Sequence, residues 1–125
     1  MIFALIGSIF FGLIVIFYLL LVFGVPLGEY AMGGQQKILS GKNRVAVTLA
    51  IILQIFGIFA LLQAGGLIAS VFSYGIIKIS CYVFAIYLSI NVVMNIFSKS
   101  HKERWMMTPL SFIIAVCYWG VISEM

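Results

Sequence analysis

The sequence predicts an all-α membrane protein, a four-helix transmembrane bundle that forms a single domain over residues 1–125. Hydrophobic residues make up 65% of the chain and charged residues only 8%, whereas about a quarter of a soluble domain is charged. The charges also cluster, which leaves long apolar stretches between them. Because a bilayer core needs about 20 apolar residues per helix, the chain is long enough for four spans.

The first predicted span covers about residues 2–23 and contains no charged side chain. A secretory signal peptide would show a basic segment followed by a shorter apolar stretch. We therefore expect a retained transmembrane helix. Pro26 and the glycines around it end this helix, since proline fixes φ and glycine permits turns.

The first loop, residues 24–43, contains the acidic residue Glu29 beside a glycine-rich turn. One interpretation is a salt bridge that ties this loop to Arg44, Lys99 or Arg104. The other is a proton or cation site, which requires Glu29 to be partly buried. The sequence leaves both interpretations open.

The remaining spans are predicted at about residues 45–65, 74–97 and 105–123, and the loop between the second and third is short and uncharged. Lys78 is the one charged residue within the third span. Its four methylene groups allow the amine to reach the nearby headgroups.

The basic residues predict the orientation of the bundle. Six of the seven Lys and Arg residues lie in or beside the first and third loops. Because cytoplasmic loops are enriched in Lys and Arg, residues 24–43 and 98–104 should be cytoplasmic and both termini outside. This placement beside the membrane also argues against nucleic-acid binding, which needs a folded basic surface.

Three amides form the predicted interior polar set: Gln54, Asn91 and Asn95. At about 1.5 Å per residue, Gln54 lies about 15 Å from Arg44 and Asn91 about 12 Å from Lys99, so they should have similar depth. Such amides usually join helices through hydrogen bonds. The alternative is a polar cavity that is open to the cytoplasm and holds a small ligand.

Two nine-residue segments, 40–48 and 100–108, share the pattern S-x-K-x-R-x-x-x-T. Each leads into an even-numbered span. A duplicated helical hairpin would produce this repeat, which makes two related hairpins an alternative description of the bundle. Independent basic anchors at two helix starts would produce the same pattern.

The two cysteines, Cys81 and Cys117, fall inside apolar spans without metal-ligand spacing. A buried free cysteine behaves as a small hydrophobic residue. A disulfide between them is the alternative, but their estimated depths differ by about one helical turn. No metal site or cofactor site is predicted, because His101 has no partner ligand.

Residues 24–34 read G-x-P-x-G-x-x-x-x-G-G, and residues 98–109 form a basic segment before the fourth span. Both segments resemble the corresponding loops of a family of uncharacterised small four-span bacterial integral membrane proteins. The resemblance implies four helices in the bacterial cytoplasmic membrane. It implies no activity, substrate or catalytic residue.

Three functions are compatible with this pattern, and no catalytic residues are predicted. The first is a non-catalytic accessory, scaffold or regulatory subunit in membrane lipid, acting through helix contacts with a second copy or another membrane protein. The second is binding or transport of a small or lipophilic molecule in a polar cavity. The third is a thiol or quinone oxidoreductase. The candidate functional positions are Glu29, Arg44, Gln54, Asn91, Asn95 and Arg104.

Overall fold

The computed structural model describes residues 2–24, 41–69, 71–98 and 101–125. These segments form four α-helices and no strand: α1 (Ile2–Val22), α2 (Gly41–Ala64), α3 (Tyr74–Ile96) and α4 (His101–Glu124). All four are long and apolar enough to cross a membrane. The predicted fold class is confirmed: the chain is a multi-pass membrane protein built as a four-helix bundle.

Successive helices run antiparallel and close into a ring. The helix α1 packs against α2 and α4, and α3 packs against α4 and, less extensively, against α2. The start of α1 meets the end of α2, where a side chain at Gly65 would collide with Ala4. At the opposite end, Gly24 lies beside the Arg44 guanidinium group.

Two helices begin before the predicted membrane spans. The helix α2 begins at Gly41 and α4 at His101, four residues before each predicted span. The flanking basic residues therefore lie in the first helical turns rather than in loops. Lys, Arg and Glu favour helix, and their long side chains reach the headgroups from a helical backbone. We call this end of the bundle, which carries Lys42, Arg44, Lys102 and Arg104, the basic end.

A glutamine side chain organises the connection between α2 and α3. Gln63 Nε2 donates to the Phe72 carbonyl oxygen at 2.7 Å, and Gln63 Oε1 accepts from the Val71 and Phe72 amides. Ser73 then caps α3 by accepting from the Ile76 amide. Backbone groups in lipid must be satisfied within the protein, so this glutamine allows a short turn at the membrane surface.

Lys78 lies near the start of α3 and is exposed. Its Nζ is 5.8 Å from the centre of the Tyr74 ring. This position, one helical turn from the helix start, agrees with an amine that reaches the headgroups.

An aromatic cluster fills the centre of the bundle. Phe84 stacks on Tyr118 with ring centres 5.7 Å apart, and Phe11 meets both rings edge to face. Phe11 and Tyr118 are almost fully buried. Because lipid gives helices no hydrophobic reason to associate, close packing of this kind holds the bundle together.

The two copies of the repeated pattern have different surroundings. The Thr48 hydroxyl is exposed and donates to the Arg44 carbonyl oxygen at 2.8 Å. The Thr108 hydroxyl is buried and has no hydrogen-bond partner among the described residues. These threonines therefore do not play equivalent roles, whatever the origin of the repeat.

Candidate functional site

A cavity of about 370 Å³ lies between the helices on the side of the aromatic cluster that faces the basic end. Ligand sites commonly occupy about 300–1,000 Å³, so this cavity is large enough for a small molecule. All four helices contribute to its lining, which consists of Phe11, Ile14, Tyr18, Gln54, Tyr87, Leu88, Asn91, Met94, Asn95, Ser98, Glu103, Met107 and Ser111. We refer to it as the polar cavity.

Gln54 contributes an acceptor with no hydrogen-bond partner. Only 6% of the residue is exposed, and its Oε1 atom is buried without a partner among the described residues. Most buried polar atoms in proteins are hydrogen-bonded, and each exception calls for an explanation. A donor in the polar cavity would satisfy this oxygen after rotation of the side-chain amide, since the oxygen itself is buried.

The two asparagines of α3 lie one turn apart and both line the polar cavity. Asn95 Nδ2 donates to Ser111 Oγ at 3.1 Å, and both residues are buried. This bond joins α3 to α4, which is the role expected of polar side chains between membrane helices. Asn91 lies one turn deeper and is half-buried.

Glu103 places a carboxylate in the same cavity. It lies in the first turn of α4, only 8% exposed, among the lining residues. Tyr18 and Tyr87 also contribute to this lining. The polar cavity therefore combines a carboxylate with amide and hydroxyl groups, a set rich in hydrogen-bond acceptors.

Sequence reasoning missed Glu103 because it lies within a run of basic residues at the predicted membrane edge. A signal was present nonetheless. Residues spaced by four lie on one face of a helix, and Glu103 shares that spacing with Met107 and Ser111. Extending α4 back to His101 places all three on the interior face, where the structure finds them buried.

Of the six candidate positions, the structure brings Gln54, Asn91 and Asn95 together in one cavity. Arg44 and Arg104 lie at the basic end and are not among its lining residues. The Arg104 guanidinium contacts His101 Nδ1 one turn earlier on α4. Glu29 lies outside the described residues.

The cysteines are not disulfide-bonded. Cys81 and Cys117 are both buried free thiols, and Cys81 Sγ makes a long 3.9 Å contact with the Ala60 carbonyl oxygen. Neither lines the polar cavity. Because redox chemistry requires an accessible thiolate, their packing favours a structural role.

The described residues include no group of three or more His, Cys, Asp or Glu side chains that could hold a metal ion. The described lining of the polar cavity offers hydrogen-bonding groups and the Glu103 carboxylate. This arrangement can recognise a ligand with donor groups or positive charge. No protein-family model, no curated protein and no solved structure matches the chain.

Proposed function

We propose that this membrane protein binds a small molecule with hydrogen-bond donors in the polar cavity. The observation that carries the proposal is Gln54, which lines the cavity and whose Oε1 atom is buried without a partner among the described residues. An unsatisfied buried polar atom costs about 1–3 kcal/mol, and a bound donor removes that cost. Asn91 and Glu103 supply further polar atoms in the same lining.

The residue pattern alone favours a non-catalytic accessory, scaffold or regulatory subunit. A scaffold acts through its outer surface and needs no interior space. The polar cavity is the specific observation that favours binding over that alternative. The proposal involves no catalytic step and no cofactor.

We place the protein in the bacterial cytoplasmic membrane, surrounded by membrane lipids, with the basic end in the cytoplasm. The support is the resemblance of residues 24–34 and 98–109 to the corresponding loops of small four-span bacterial proteins, together with the enrichment of Lys and Arg in cytoplasmic loops. The polar cavity lies towards that end, so the proposed ligand site is on the cytoplasmic side of the aromatic cluster. Association with a second copy or with another membrane protein would leave this interior site available.

Thermal unfolding of the purified protein in detergent tests the proposal. Butylammonium, butyramide and butyrate are added separately, because they share a short chain and differ in donors and charge. A ligand that binds the folded state raises stability by about 2.7 kcal/mol at one hundred times its dissociation constant. We expect butylammonium or butyramide to raise the unfolding temperature and butyrate to have no effect.

The variant Gln54→Leu removes the acceptor and keeps a similar volume. It should fold, since the lost oxygen has no partner among the described residues, and it should lose the response to the donor ligands. Thr48→Val is the matched control on the same helix, because the Thr48 hydroxyl is exposed and bonds its own helix. Equal responses in Gln54→Leu and Thr48→Val, or no response in the wild type, would contradict the proposal.

A further inference from the structure

A second cavity of about 370 Å³ lies between α2 and α3 on the outer face of the bundle. We call it the lateral groove. Its lining is almost entirely apolar and consists of Ala50, Leu53, Gln54, Phe56, Ile79, Ser80, Val83, Phe84 and Tyr87. The Ser80 hydroxyl already donates to the Ile76 carbonyl oxygen at 2.8 Å, so the groove has little polar character of its own.

The lateral groove faces lipid. Leu53, Ile79 and Val83 line it and are each more than half exposed. The neighbouring helices α2 and α3 also pack less extensively than the other adjacent pairs. A hydrocarbon chain of the surrounding bilayer can therefore enter the groove without crossing a polar barrier.

Gln54 and Tyr87 line both cavities. The lateral groove and the polar cavity are therefore neighbours that share two lining side chains. The Gln54 Oε1 atom has no hydrogen bond to hold it in place among the described residues. Tyr87 is half exposed on the lipid side. Rotation of these two side chains would join the two cavities.

We propose that the ligand is an amphipathic molecule that enters from the bilayer through the lateral groove. Its donor-bearing head occupies the polar cavity beside Gln54, Asn91 and Glu103, and its hydrocarbon tail stays in the groove. A long-chain primary amine is the simplest molecule of this class. The inference rests on the proposed function, because it requires the polar cavity to bind the head.

The charge distribution favours this route over entry from water. The basic end carries Lys42, Arg44, Lys102 and Arg104, and these positive charges repel an approaching cation. Entry from lipid avoids that region. The groove extends along α3 from Ile79 to Tyr87, about 12 Å at 1.5 Å per residue, which suits a chain of medium length.

The test uses dodecylamine with a diazirine on its chain, photolysed with the full-length protein in phosphatidylcholine nanodiscs. We expect the label to map to residues 50–56 and 79–87. Val83→Trp fills the groove with a bulky ring at an exposed position and should reduce labelling about tenfold, a change of 1.4 kcal/mol in binding. Ile16→Trp is the control, because Ile16 is equally exposed on α1 and lines neither cavity.

Two labelling results would overturn lateral entry. One is equal labelling of Val83→Trp and Ile16→Trp, and the other is label spread evenly around the bundle. If Val83→Trp does not fold, Ile79→Trp fills the same groove. Competition with unlabelled amphiphiles identifies the preferred head group. Unlabelled dodecylamine should protect the protein from photolabelling, and equal protection by dodecanoate would overturn the assignment of a donor head.

Butylammonium separates this inference from the proposed function. It lacks a long tail, so its stabilising effect should be the same in Val83→Trp and in wild type. Suppose that butylammonium stabilises the wild type but not Gln54→Leu, while Val83→Trp is labelled as strongly as Ile16→Trp. In that case the polar cavity binds ligands and lateral entry is wrong. If butylammonium has no effect on the wild type, the proposed function fails and the inference fails with it.

Discussion

The Tyr118 hydroxyl donates a hydrogen bond to the Gly57 carbonyl oxygen at 2.5 Å. The two residues lie on α4 and α2, which face each other diagonally and otherwise make few contacts. The bond therefore spans the centre of the bundle. It also fixes the tyrosine ring against Phe11, which lines the polar cavity, and Phe84, which lines the lateral groove.

Replacing Tyr118 by Phe tests the importance of this bond. The ring remains, but the Gly57 carbonyl oxygen loses its donor from α4. We expect the free energy of unfolding to fall by about 1 kcal/mol, the usual size of a buried hydrogen bond. Unfolding in mixed detergent micelles measures the change. Unchanged stability would mean that α2 and α4 are held together by ring packing alone, without a contribution from this hydrogen bond.

The bond from Asn95 Nδ2 to Ser111 Oγ predicts energetic coupling between α3 and α4. Asn95→Ala, Ser111→Ala and the double variant form a mutant cycle. We expect a coupling free energy of about 0.6 kcal/mol, the average for such bonds in membrane proteins. Unfolding of the four proteins in the same detergent mixture gives the value, and strictly additive effects would show that the bond contributes nothing.

Gly7 and Gly12 form a matched pair on α1. A methyl group at Gly7 would lie 2.7 Å from Leu61 Cδ2 and 2.8 Å from Cys117 Cβ. The Leu61 methyl can move, but Cys117 Cβ is attached directly to the α4 backbone. At Gly12 nothing lies within 4 Å of the added methyl group.

We therefore expect Gly7→Ala to lower the free energy of unfolding by about 1–3 kcal/mol, the usual cost of overfilling a packed interface. Gly12→Ala should leave stability unchanged or raise it slightly, because alanine favours helix over glycine. Thermal unfolding in detergent compares the two variants. A similar loss in both would show that the contact at Gly7 is not the cause.

The sequence predicted four membrane-spanning helices correctly, because length and hydrophobicity alone indicate them. It also predicted a similar depth for Gln54 and Asn91, since rare amides in apolar helices are easily recognised and their depth follows from the helical rise. The inward faces of the helices were harder to predict. In a membrane the outward face is apolar too, so the periodicity that marks a buried stripe in soluble helices is weak.

The cavity residues that sequence reasoning missed illustrate this limit. Aromatic residues make up 15% of the chain, so the sequence does not distinguish Tyr18 and Tyr87 from the other aromatic residues. Glu103 lies among basic residues in the sequence, which suggested a position at the membrane surface. Only the position of the α4 start, one turn before the predicted span, places its carboxylate inside the bundle.

The orientation predicted from the basic residues leads to a labelling experiment. Ser123 is exposed at the end of α4, and Lys102 is exposed at the basic end. We expect Ser123→Cys to react with a membrane-impermeant maleimide in intact bacterial cells. Lys102→Cys should react only after the membrane is permeabilised. Wild-type protein is the control, because Cys81 and Cys117 are buried and should not react in either case. The reverse pattern would put the basic end, and with it the polar cavity, on the outer side of the membrane.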